Sequence, residues 1–440
     1  MKENISLNEH IAAHCHDSME IALSAERHPL WARSCPEMSD IEFIHFGLLR
    51  GIGCDDSGRD FLQTIDDIHN QQLPVSTYFN SLKSPRRMHM LEAVEKQSYR
   101  LHCHTLASHE IDYLKQFPEL DQYTVEAADG HFIDHACHTE KGKNGKVYAA
   151  GFIYSMNLRN GLLKPLCCVT NGTKRNQDDA RRHVHQIPAL RKHIEKQNDE
   201  TNKSEKCLYV YDKAVTDYGW WDHQKQHENY MISVLKENSV ATFFESIPFG
   251  SQSEINIGIE GYSTYENGGI KFSLIKYRDP ETQILHRFVT TLPISINPGT
   301  IAILYFKRWT IEKAFNNSKS NLKERKAWSP DFNALKNQMR LTSMTYNQMR
   351  VFEEVSKIQD SGLVHPSDKK YTKALEKRDQ VAKKLGNFVN PLLFQSRIVR
   401  ISSYTIRAVQ NAITTGKSLV WIMGALVARL VSGVRKVVEH

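Results

Sequence analysis

No stretch of this chain approaches the roughly 20 consecutive apolar residues that a bilayer crossing requires. The most apolar run, from Leu419 to Val431, is too short and is interrupted by Arg429, so a membrane span is not expected. No apolar segment follows Met1-Lys2-Glu3-Asn4 either, which argues against a secretory leader. The eight cysteines lack regular spacing. That excludes a disulfide framework and makes a reducing cytoplasm the expected compartment. Gly142-Lys143-Asn144-Gly145-Lys146 lacks the phosphate-loop pattern, so no nucleotide cofactor is expected. The triplets His14-Cys15-His16 and His102-Cys103-His104 and the cluster His135-Ala136-Cys137-His138 do not have zinc-finger spacing. Excess charge is modest as well, a formal +7 over 440 residues, so basic character matters only where it is local.

It is local in Lys83-Ser84-Pro85-Arg86-Arg87, Lys174-Arg175, Arg181-Arg182, Arg191-Lys192 and Lys323 to Lys326. Such groups suit a polyanion through counterion release, although each alone is ordinary soluble surface. With 40% hydrophobic residues the chain can build a sizeable core and is expected to divide into two to four domains. Apolar residues at helical spacing in Ile41 to Leu49 and Met88 to Leu101 predict a helical N-terminal region. From Thr242 to Leu292 alternation predicts strands, as in Lys271 to Tyr277 and Ile284 to Val289 around a turn at Arg278-Asp279-Pro280-Glu281. After Pro330 the pattern is helical again.

The densest chemistry lies in Tyr305-Phe306-Lys307-Arg308-Trp309-Thr310-Ile311-Glu312, with Lys319 beyond it. At about 100° per residue, Arg308, Glu312 and Lys319 fall within roughly 60° of Tyr305, placing a phenol, two cations and an acid on one ridge. Leu304, Ile311, Phe315 and Leu322 form an apolar stripe beside it, so the helix is expected to pack on one side and work on the other. Asn297-Pro298-Gly299-Thr300 supplies a break and a cap, predicting a helix from near Ile301 past Lys319 towards Ser329-Pro330. A solvated face with local Glu-Lys pairing is the competing explanation of the same charges.

The spacing Tyr-x2-Arg-x3-Glu-x6-Lys resembles the signature of the insertion-sequence-four family of DDE transposases. The resemblance implies an α/β fold: a ribonuclease H-like core interrupted by a β-rich insertion, with helical N- and C-terminal regions. It implies that Glu312 completes a metal-binding triad with two upstream aspartates. Asp129, in Tyr123-Thr124-Val125-Glu126-Ala127-Ala128-Asp129-Gly130-His131, matches the first, and is placed ahead of the nearby Asp134 because short strands end at Asp-Gly pairs. Extended runs at Lys146 to Tyr154 and Leu162 to Val169, joined by Arg159-Asn160-Gly161, predict a three-stranded meander after it. Asp212 matches the second, at the C-terminal end of Cys207-Leu208-Tyr209-Val210-Tyr211. Taken singly, each acid is equally a turn residue or a helix cap.

On this resemblance Asp129, Asp212 and Glu312 would hold Mg²⁺ or Mn²⁺, in all two ions, since hard divalent cations prefer oxygen ligands. Arg308 and Lys319 would neutralise DNA phosphates, and Tyr305 would donate to a phosphate or stack. Trp309 is read equally as an aromatic DNA contact and as a packing residue. The implied activity is cut-and-paste transposition of double-stranded DNA, with terminal inverted repeats and target DNA as partners and a homodimer on paired ends. A structure-selective nuclease of the same fold and an inactive DNA-binding derivative are the alternatives. The expected divisions are a DNA-binding region at 1–110, the core at 111–240, the β-rich insertion at 241–298, the glutamate helix and rest of the core at 299–355, and a helical, dimerising region at 356–440.

Overall fold

The computed structural model describes residues 37–52, 57–69, 73–139, 150–169, 186–200, 206–212, 216–237, 239–280, 282–320 and 324–359, with single positions between 373 and 384. Outside the described residues lie His14 to His16, Lys146 to Ala149, the basic pairs at 174–175 and 181–182, Leu322 and the apolar run at 419–431.

Four helices open the described chain: α1 (Asp40–Ile52), α2 (Gly58–His69), α3 (Val75–Lys83) and α4 (Pro85–Ser108). The start of α4 follows from its sequence, because Pro85 sits where no amide donor is needed and the Ser84 side chain accepts from the Arg87 amide. The meander follows as β1 (Tyr123–Ile133), β2 (Ala150–Asn157) and β3 (Leu163–Val169), with a turn in which Gly161 takes φ 76°. Then come α5 (Gln186–Glu200), β4 (Lys206–Val210), α6 (Tyr218–Lys225) and β5 (Asn229–Val234). Strands β6 (Thr242–Ser246), β7 (Ile259–Asn267), β8 (Ile270–Arg278) and β9 (Leu285–Thr290) precede α7 (Pro298–Ser320) and α8 (Phe332–Gln359).

The nine strands of the described residues join one sheet in the order β3-β2-β1-β4-β5-β9-β8-β7-β6. Within the first five, β2 alone runs against its neighbours, and β1, β4 and β5 are parallel. That arrangement is compatible with a ribonuclease H-like core. The β-rich block is continuous with it, because β9 pairs with β5 through Ile232 to Val234 and Phe288 to Thr290.

Two layers of side chains cover the sheet. On one face Ala128, Ile153, Tyr209, Tyr211 and Met231 pack with Leu190 and Ile194 of α5 and Trp221 of α6. On the other, Val125, Ala127, Leu208, Val210 and Ile232 share a core with Ile301, Leu304 and Ile311 of α7 and with Leu341 and Tyr346 of α8. Phe43, Ile44, Leu48 and Leu91 of the N-terminal helices belong to that same core. Among the described residues no helix is long and apolar enough to cross a membrane.

Helix α7 departs from its expected form in two ways. It begins at Pro298, a turn earlier than expected, with the Asn297 side chain accepting from the Gly299 amide, and it ends at Ser320. It is also buried on nearly all sides from Pro298 to Ile311, with Trp309 half-buried, where an amphipathic surface helix was expected. Even Lys307 is enclosed, and burial pushes its ammonium down to about 8 against the opposing pull of Asp112. The reason is position: α7 lies under the centre of a nine-stranded sheet, so only its later turns, at Glu312 and Asn316, reach solvent.

Candidate active site

Strands β1 and β4 run side by side as far as Ala127 and Val210, their last paired residues. Two residues further on, each strand's continuation carries an aspartate, Asp129 and Asp212. Side chains two apart share a face, so both acids follow Ala127 and Val210 towards α7. Helix α7 brings Glu312 to the same place. The convergence is registered electrostatically at Asp129 and at Tyr305, each of which is influenced by both Asp212 and Glu312.

Arg308 links two of the three acids. Its Nη2 donates to Glu312 Oε1 at 2.8 Å, and its Nη1 lies 3.6 Å from Asp129 Oδ2. The guanidinium side chain is only 5% exposed, against 21% for Asp129 and 46% for Glu312, so a buried cation faces a solvent-open carboxylate. Burial raises the Asp129 carboxyl above the usual range; the Gly130 amide and Arg308 oppose this, while Glu312 and Asp212 reinforce it. Tyr305 is buried, with the Arg308 guanidinium carbon 5.6 Å from its ring centre, and its phenol is raised by burial. The Tyr305 ring packs on Phe288 at 4.8 Å, which fixes the start of the ridge against β9.

The other expected residues fall into different settings. Trp309 meets Phe306 edge-to-face at 5.6 Å and packs partly buried against the main core. Lys319 is half-buried near the end of α7, and its carbonyl accepts from Arg325 Nε at 3.0 Å. Asp129 is not at a strand end as the Asp-Gly pair suggested, because β1 continues to Ile133. Asp134, the rival first acid, is exposed beyond the strand, its backbone bridged to the segment around Lys326.

Sequence spacing gave no hint of a buried pair behind the acids. His131 Nε2 lies 3.0 Å from Glu324 Oε2, and Thr342 Oγ1 donates to Glu324 Oε1 at 2.8 Å. The partners stand 193 positions apart, and no periodicity relates them.

The donor chemistry of Asp129, Asp212 and Glu312 suits a hard divalent cation: three carboxylates from three elements, without thiol or imidazole. Arg308 meets the negative charge of two of them, Asp129 and Glu312. Among the described residues no group of three or more His, Cys, Asp or Glu side chains is drawn together so as to hold a metal ion.

No curated protein matches the chain. The family model of the transposase DDE domain matches residues 123–348, just over half of the chain, from the first residue of β1 into α8. The matched span holds the whole sheet, both aspartates and the glutamate helix, and the chain belongs to the transposase DDE domain family.

Proposed function

We propose that this transposase is a cut-and-paste enzyme of the insertion-sequence-four type, which cleaves DNA at terminal inverted repeats and joins the released ends to target DNA. The observation that carries the reading is the approach of Asp129 and Glu312 to one Arg308 guanidinium, with Asp212 close enough to act on Asp129. In this reading the three acids hold Mg²⁺ or Mn²⁺, and the bound cations supply activation of an attacking hydroxyl and stabilisation of the leaving oxygen.

The chain's own residues do the rest. Arg308 is a planar double donor already poised at the acids, suited to take a phosphate bidentately next to the bond being broken. Tyr305, packed on Phe288, holds the guanidinium from behind and presents a phenol that stays protonated at neutral pH. Lys319 adds a point charge further along the same helix. Trp309 serves DNA only through the edge of its ring that remains exposed, since its body packs on Phe306. The helices before residue 110 are assigned to recognition of the repeats, and the region after 356 to pairing of two protomers on two ends.

The test is made on plasmids carrying the DNA that flanks the gene, with Mg²⁺ added, comparing the wild type with Glu312→Gln. Excised and joined products from the wild type alone support the reading. Cleavage without joining moves the protein to a structure-selective nuclease on the same fold. Binding of the ends with no cutting by either protein, in Mg²⁺ or Mn²⁺, leaves only a DNA-binding derivative.

A further inference from the structure

We infer that His131 and Glu324 are positioning residues for this site, a buried pair that sets the distance between the strand carrying Asp129 and the helix carrying Glu312; the inference rests on the triad proposed above. His131 stands two residues beyond Asp129 on the same face of β1. Its ring lies 4.9 Å from that of Phe315, which is three residues beyond Glu312 on α7. The two acids come from elements far apart in the chain, and each is within one turn or one strand repeat of this ring contact. A shift of the imidazole therefore displaces both.

Glu324 holds the imidazole in place. Its two carboxylate oxygens are divided between His131 Nε2 at 3.0 Å and Thr342 Oγ1 at 2.8 Å, so β1, the segment after α7, and α8 meet at one side chain. The backbone closes the same joint: the Asp134 amide donates to the Arg325 carbonyl, and the Ala327 amide donates to the Asp134 carbonyl, both at 2.8 Å. His131 Nδ1 is buried with no hydrogen-bond partner, an arrangement that a purely stabilising contact would avoid. Buried polar pairs contribute only modest net stability, because desolvation offsets much of their attraction. What this pair supplies is register between elements. With side-chain exposures of 1% and 3%, neither residue can touch DNA, so any effect must pass through the acids.

The experiment uses the full chain and the variants His131→Ala, Glu324→Ala and His131→Gln, the last keeping a donor near the position of Nε2. Three quantities are read: Mn²⁺ binding by electron paramagnetic resonance, the metal concentration giving half-maximal cleavage of end-bearing DNA, and affinity for that DNA. Outer-shell groups of metal sites typically govern affinity by about 10–100-fold, so both alanine variants should need roughly tenfold more metal and bind Mn²⁺ correspondingly less, with DNA affinity within about twofold and His131→Gln largely restored. Folded alanine variants with wild-type metal dependence would overturn the inference. Should they fail to fold, Phe315→Leu removes the ring contact without stranding a charge; the same rise in metal demand supports the pair, and an unchanged demand overturns it. A wild-type protein that neither binds Mn²⁺ nor cleaves contradicts the triad itself, whereas an active wild type with unshifted variants contradicts only the positioning role.

Discussion

A largely buried carboxylate beside other acids is held at a cost, and Asp129 is in that position. Burial raises its pKa, and the Gly130 amide and Arg308 recover only part of the shift. The sign follows from linkage. A folded-state value above the unfolded one means the contribution to stability is fully present below the unfolded pKa and is lost as pH rises through the folded value. At neutral pH the ionised group therefore weakens the fold. Asp129→Asn is predicted to raise Tm at pH 7 by about 1–3 °C in metal-free buffer, a stability gain at the expense of function. The difference should vanish below about pH 4, where the wild-type carboxyl is protonated. Thermal denaturation followed by circular dichroism at both pH values checks it, and an unchanged or lower Tm at pH 7 would refute it. Tyr305, Arg308 and Glu312 were legible as one group in the sequence because helical spacing is a local signal. The pairing of His131 with Glu324 was not, since a contact over 193 positions has no period.

At the scale of elements, helix α7 depends on how its first turn enters the core. The Gly299 amide bonds to Asn256 Oδ1 at 3.0 Å, and a Cβ at this position would collide with the backbone carbonyl of Ile255. A backbone obstacle cannot swing aside as a side chain can. Gly299→Ala is therefore predicted to destabilise the protein by about 2 kcal/mol, the usual scale of overpacking, and to reduce cleavage by misplacing Glu312. Urea unfolding measures the first effect; a wild-type midpoint would show that the turn at Glu254–Asn256 can yield. The sequence placed this helix one turn late: the cap expected within Asn297 to Thr300 is Asn297 itself, so the helix begins at Pro298 rather than near Ile301. Its amphipathic reading failed for a different reason. The ridge of Tyr305, Arg308, Glu312 and Lys319 implied a working, open side, but burial depends on what lies above the helix, and that is set by strands from other parts of the chain. The end of β1 was misjudged similarly. Pairing with β4 stops at Ala127, yet pairing with β2 continues to Ile133, and a sequence cannot say which neighbour decides where a strand ends.

Across the described residues, one apolar cluster runs from the N-terminal helices through the sheet to α7 and α8. The strands from Thr242 to Thr290 prolong the central sheet, and α1 and α4 cover α8 with side chains that belong to the main apolar cluster. Gly47 and Gly51 allow α1 to approach α8 closely, because a Cβ at either would meet Leu341 or Thr345. A protein lacking residues 1–110 would expose that face of α8, so it is predicted to lose cooperative unfolding and to be degraded rapidly by protease. A truncated chain with a sharp thermal transition would show that the helices form a separable module. Strand alternation and helical texture made the order of elements readable, and the family signature pointed to the acids. The single sheet was not readable, because strand partners far apart in sequence leave no local mark. The central claim is the convergence of Asp129, Asp212 and Glu312 on one reaction, and the most direct measurement is metal-dependent cleavage of end-bearing DNA by Asp129→Asn, Asp212→Asn and Glu312→Gln made singly. The account predicts that each falls by at least about a thousandfold, as expected when members of one catalytic unit are removed, while DNA binding persists. Wild-type cleavage by any one of the three would contradict it.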